Sequence, residues 1–104
     1  YLYVGECAKA IEMAIYADNK SGVYNICSDN PTSLKELVTN IRDRINPDFK
    51  LNFGSLPYRY GQCMYMEGDT TKLRDNIYNL NTSDFEVQLD NTIKYYLKRY
   101  DNEK

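Results

Sequence analysis

A chain of 104 residues fits one compact domain, and 42% hydrophobic content with 11 Tyr and 3 Phe supplies material for a core. Thirteen basic residues against 15 acidic ones leave a net charge of −2 and an isoelectric point near 5.1, without the Lys/Arg stripe that nucleic-acid binding requires. No apolar run nears the roughly 18 residues of a membrane span, no signal-peptide pattern occurs, and the absence of His removes the usual triad base and the commonest metal ligand.

In chain order, Tyr1 to Val4 reads as a short strand, and Glu6 to Ala17 as a helix with an apolar stripe of Cys7, Ala10, Ile11, Ala14 and Ile15. A chain that opens on Tyr inside a structural element reads as a piece of a longer polypeptide. Asp18 to Gly22 is turn chemistry. Val23 to Cys27, β-branched and aromatic, predicts a buried strand. Ser33 with Glu36 is a capping box opening a helix whose face is Leu34, Leu37, Val38, Ile41 and Ile45; Arg42 and Arg44 complement its C-terminal dipole, and Pro47 marks its stop. Phe49, Leu51 and Phe53 alternate with polar residues, the pattern of a half-buried strand ended by Gly54. After a loop with a short extended piece at Met64 to Met66, Asp69 or Thr70 caps a short helix through Arg74. A second capping box, Ser83 with Glu86, opens the last helix, whose core stripe is Phe85, Leu89, Ile93, Tyr96, Leu97 and Tyr100. The expected fold class is mixed α/β, in the order β-α-β-α-β-loop-α-α, as a single domain over 1–104.

The loop from Leu56 to Asp69 concentrates chemistry. Tyr58, Tyr60, Met64, Tyr65 and Met66 are flat or polarisable apolar groups suited to ligand and interface surfaces. Arg59 is the one cation among them, and its planar fork matches phosphate oxygens. The same composition also fits packed aromatics around a solvated charge. Cys7, Cys27 and Cys63 lie far apart without metal-ligand spacing and read as reduced thiols of a cytoplasmic protein. Without a His to activate it, Cys63 reads as a small apolar filler.

Several segments together resemble one family. Tyr1-Leu-Tyr-Val4 with Glu6 and Ala8 to Ile11 resembles the "YVxDVAxAI" segment of extended short-chain dehydrogenases, and Gly22-Val-Tyr-Asn-Ile26 with Ser28 resembles their "GxYNIGSG". Ser33-Leu-Lys-Glu-Leu37 is similar to "SLKEL". Leu56-Pro-Tyr-Arg59-Tyr-Gly61-Gln62 followed by Gly68-Asp69-Thr-Thr-Lys72 is similar to "R-P-G-E/D … A-D-x-S-K". Thr82 to Glu86 and Thr92 to Tyr95 resemble the final "SLEEGLxxTIxWY" helix. The motifs run in the family's order over nearly the whole chain. The resemblance is to the C-terminal, substrate-binding part of NAD-dependent nucleotide-sugar epimerases, dehydratases and reductases.

The resemblance implies a lobe that holds a nucleotide-diphosphate sugar, with NAD or NADP bound by an N-terminal dinucleotide lobe outside this chain, and it leaves residues 1–28 open to belonging structurally to that lobe. Arg59 stands where the family places an arginine on the diphosphate, and Gln62 where an acid often contacts the nucleotide ribose; an amide can still hydrogen-bond a hydroxyl. Tyr58 and Tyr60 flank them as pocket wall or as domain-interface packing. Departures are Gln62 for the acid, Cys27 and Asp29 for the glycines of "GSG", Gly5-Glu6 for Asp-Asp, and Ile77-Tyr78-Asn79 for "LGW". The Gly-rich dinucleotide fingerprint is absent. Tyr16 and Lys20 have the spacing of the catalytic Tyr-x-x-x-Lys but sit at a helix end without its surrounding Ser, a chance match, and Tyr95 is followed by Arg99. The expectation is a nucleotide-sugar-binding lobe that is not catalytic by itself, with a homo-oligomer among its possible assemblies. The alternative is a non-catalytic protein-interaction or self-association domain using the Tyr/Met-rich segment 56–66.

Overall fold

A computed structural model describes residues 1–18 and 21–103. It contains four helices, α1 (Val4–Tyr16), α2 (Leu34–Ile45), α3 (Thr71–Asn76) and α4 (Phe85–Asn102), and no strand among the described residues. The expected α/β class and its β-α-β-α-β-loop-α-α order are therefore corrected to an all-α arrangement. The reason is that a strand exists only through a partner ladder. Val23 to Cys27 and Phe49 to Phe53 carry strand-forming side chains, yet no described segment pairs with either. Side chains hold them instead. Lys72 Nζ donates to the Val23 carbonyl at 3.0 Å while lying 4.7 Å from the centre of the Tyr24 ring. Arg42 Nη1 donates to the Phe49 carbonyl at 3.4 Å. Tyr1 to Val4 is likewise no strand, because the Tyr3 carbonyl already accepts from the N–H groups of Glu6 and Cys7.

The chain divides into two compact units, Tyr1–Pro31 with Glu67–Gln88, and Thr32–Met66 with Leu89–Lys104. In the first unit, the inward side of α1 is Tyr3, Glu6, Cys7, Ala10 and Met13, while Ile11 and Ile15 of the expected stripe are exposed. The stripe is rotated because Glu6 has partners to reach. Its Oε2 accepts from Tyr78 Oη at 3.0 Å and from the Asn81 N–H at 2.8 Å. Partial desolvation, and then this hydrogen bond to the Glu6 carboxylate, push the Tyr78 phenol above its ordinary range. The expected turn at Asp18 to Gly22 and the spacing of Tyr16 to Lys20 involve Asn19 and Lys20, which lie outside the described residues.

The second unit is built on α2, which starts where its capping box predicts: Ser33 Oγ accepts from the Glu36 N–H at 3.1 Å. Arg44, near its end, pairs with Asp90 of α4 and donates to Asn40 Oδ1 at 2.8 Å. α4 begins at Phe85, later than a Ser33-like cap at Ser83 requires, and Ser83 Oγ donates to Asn81 Oδ1 at 2.8 Å. Of its expected core stripe, Leu89 is buried and Phe85 and Ile93 are half-buried, while Tyr96, Leu97 and Tyr100 are exposed. Tyr95 and Arg99 sit on an exposed face of this helix, with Arg99 paired at 2.9 Å to Glu103 one turn on.

Little of the chain's apolar surface is covered by the chain itself. The accessible surface is 8594 Å², whereas even two separate compact bodies of half this mass would expose only about 7,300 Å² together. Among the described residues, the buried hydrophobics are Ala10, Leu73 and Leu89. With so small a core, end-capping carries real weight. Replacing Ser33 with Ala is expected to lower stability by about 1 kcal/mol, the usual cost of an N-cap, read as a lower urea midpoint at unchanged slope.

Candidate functional site

The part of the loop that carries the sequence-predicted residues, Leu56 to Met66, lies in the second unit. At its centre, residues 59–62 close a tight turn. The Arg59 carbonyl accepts from the Gln62 N–H at 3.1 Å, the Arg59 N–H donates to Gln62 Oε1 at 3.2 Å, and Gly61 supplies the left-handed backbone at φ 71°. The turn thus brings Arg59 and Gln62 together. Tyr58 and Tyr60 flank them, and both are exposed, Tyr60 completely at 107%. These tyrosines wall no enclosed pocket within their unit; they stand out from it. Among the described residues the Arg59 guanidinium meets neither a carboxylate nor a hydrogen-bond acceptor. Leu56, Met64, Tyr65 and Met66 continue the exposed apolar surface along the same loop. Cys63, expected as an apolar filler, is exposed and donates its thiol to the Tyr65 carbonyl at 2.9 Å.

A second concavity of the same unit is apolar. About 360 Å³ is lined by Val38, Ile41, Ile45, Phe49 and Leu51, with Arg42 and Asn46 at its margin. Arg42 is committed to Asp43 Oδ1 at 2.8 Å and to Phe49, so this groove offers no open charge.

The first unit holds a polar cleft of about 490 Å³ lined by Asp29, Glu67, Gly68, Asp69, Thr71 and Arg74. It forms where α3 starts. The Thr70 N–H donates to Asp29 Oδ1 at 3.4 Å and the Thr70 hydroxyl to Asp29 Oδ2. Asp69 Oδ1 accepts from the Thr71 N–H at 2.9 Å and from the Thr71 hydroxyl at 2.6 Å. The cap expected at Asp69 or Thr70 is therefore supplied by the Asp69 side chain, while Thr70 makes no side-chain cap bond. The Thr71 hydroxyl and then the Thr71 N–H hold the Asp69 carboxyl below its ordinary range. Asp29, noted in the sequence only as a departure from glycine, is a ligand of Thr70 and pairs with Arg74 at 3.6 Å. Nothing local in the sequence marks Asp29, Glu67 and Arg74 as neighbours, since only the chain path joins them. Cys27 packs against Gly68, where an added Cβ would overlap its sulfur. Desolvation, and then the Asp29 charge, raise its thiol, so Cys27 is held protonated and is a poor nucleophile.

The two polar surfaces differ in sign. The cleft at α3 is ringed by carboxylates, and its cation is already paired, so it repels anions. The loop turn carries an unpaired guanidinium and no carboxylate between Leu56 and Met66. Of these two surfaces, the turn is the one that carries net positive charge. Among the described residues no cluster of His, Cys, Asp and Glu could hold a metal ion, and no helix is long and apolar enough to cross a membrane. Comparisons of the chain with protein-family models, curated proteins and solved structures return no match.

The Asp69 hold on Thr71 sets a pH expectation. A carboxyl lowered in the folded state contributes stability that is present above its unfolded value and lost as pH falls through its folded one. Thr71→Val removes the hydroxyl donor, so the Asp69 side-chain carboxyl carbon followed by NMR should titrate at higher pH than in the parent chain.

Proposed function

We propose that this chain is a nucleotide-sugar-binding lobe of an NAD(P)-dependent epimerase, dehydratase or reductase, and that it performs no hydride chemistry by itself. The observation that carries the reading is the Arg59 turn: an unpaired guanidinium, presented by a Gly-hinged turn between two exposed tyrosines. The order of motifs around it supports the same reading. It rests on those residues and not on an α/β sheet, which the described chain does not form.

Mechanistically, Arg59 would clamp the diphosphate, and Tyr58 and Tyr60 would lie along the nucleotide. Binding energy gained at such a remote group orients the reacting sugar without entering the chemical step. The nicotinamide cofactor would be held by residues outside these 104, where hydride leaves or reaches a sugar carbon. Within the chain, no Gly-x-x-Gly-x-x-Gly is present to cradle a dinucleotide.

A charge-assisted hydrogen bond to phosphate contributes about 1.5–3 kcal/mol. Arg59→Ala should accordingly weaken nucleotide-diphosphate sugar binding by about 10- to 100-fold in calorimetric titration of the protein that carries this chain. Unchanged affinity and turnover would discard the assignment.

One observation favours a second reading, an interaction domain that docks a protein or another copy. Leu56, Tyr58, Tyr60, Met64, Tyr65 and Met66 are all exposed on one loop, and apolar groups gathered in an exposed patch mark interaction surfaces. In this reading the isolated chain should sediment faster than a monomer at high concentration, and a strictly monomeric profile would count against it.

A further inference from the structure

The Arg59–Gln62 turn distinguishes the two ends of the Gln62 amide. Within a glutamine amide only the oxygen accepts, so the 3.2 Å bond from the Arg59 N–H engages Gln62 Oε1 with the chain. Its Nε2–H₂ group, a pair of donors, makes no bond within the described chain, and Gln62 is exposed. The Arg59 guanidinium, three residues earlier, is donor-only as well. With no carboxylate between Leu56 and Met66, the turn offers a ligand hydrogen-bond donors and positive charge.

We infer that Gln62 is a specificity-determining residue that donates through Nε2 to an oxyanion, a phosphate oxygen of the ligand held together with Arg59. This inference rests on the proposed role of Arg59. It departs from the role an acid has at this place in the family that the chain resembles, where the side chain contacts ribose and accepts from its hydroxyls. The distinction has an isosteric test. Glu at position 62 can still accept the Arg59 N–H, so the turn survives, but it loses both donors and sets a negative charge beside the phosphate. A ribose-accepting role predicts the opposite, since a carboxylate is the stronger acceptor for hydroxyls.

The probe is inorganic pyrophosphate, titrated into the ¹⁵N-labelled protein that carries this chain as wild type, Arg59→Ala and Gln62→Glu, with the side-chain amide resonances of Gln62 followed alongside affinity. The expected result is that the Gln62 Nε2–H₂ resonances move as the site fills, and that each substitution weakens binding about tenfold or more, the size of one charge-assisted hydrogen bond. The backbone resonance of Arg59 should keep its position in unliganded Gln62→Glu, which reports that the turn is intact. If Arg59→Ala weakens binding but the Gln62 amide resonances stay still, or Gln62→Glu binds as well as wild type or better, the donor role of Gln62 is overturned while the Arg59 reading stands. If pyrophosphate does not bind, or Arg59→Ala has no effect, both fall.

Discussion

The first unit depends on the way two carboxylates hold the start of α3. A helix of six residues has too few internal hydrogen bonds to persist alone. Asp69 satisfies the Thr71 N–H, Asp29 satisfies the Thr70 N–H and hydroxyl, and Leu73 is turned almost wholly out of water at 2% exposure. Leu73 is the largest side chain so buried among the described residues. Once α3 is fixed, Lys72 reaches the Val23 carbonyl and the Tyr24 ring, and Asn25 Nδ2 reaches the Asp69 carbonyl at 3.3 Å. The segment from Val23 to Cys27 therefore lies where side chains place it. Gly68 is needed in that arrangement, because Cys27 occupies the space a side chain would take.

The wider constraint is that the chain covers so little of its own apolar surface. Val23 is 85% exposed and Leu56 83%, although both stand in segments whose composition belongs in an interior. Burial of such side chains contributes roughly 1.5–3 kcal/mol each, and this chain by itself forgoes much of that. Both functional readings explain the same fact. A lobe whose partner surface lies elsewhere and a domain that docks a second protein each leave apolar groups waiting for cover.

Charge separates the candidate sites where shape does not. The cleft at α3 has a volume of about 490 Å³, but its Asp29 and Asp69 are bound up in capping and ion pairing, and its arginine is already used. The turn at Arg59 is a small feature on an exposed loop, and it carries a guanidinium that pairs with no carboxylate among the described residues. Charge, more than volume, decides which surface would attract an anion.

Much was legible in the sequence where the cause is local. The Ser33 cap, the extent of α2, the short helix after Asp69 and a long last helix follow from side chains acting within a few residues of themselves. So did the concentration of Tyr, Met and Arg in one loop, because composition is not altered by folding. Tertiary structure decided what depends on distant partners. Strand patterns at Tyr1 to Val4, Val23 to Cys27 and Phe49 to Phe53 produced no sheet, since alternation of side chains does not supply a second strand. The buried face of α1 was set by Glu6 reaching Tyr78 and Asn81 across more than seventy residues, and apolar periodicity alone could not indicate it. At Gln62 the sequence specified an amide. Only the closed turn determined that its oxygen accepts from the Arg59 N–H, because hydrogen-bond partners are a property of geometry and not of residue type.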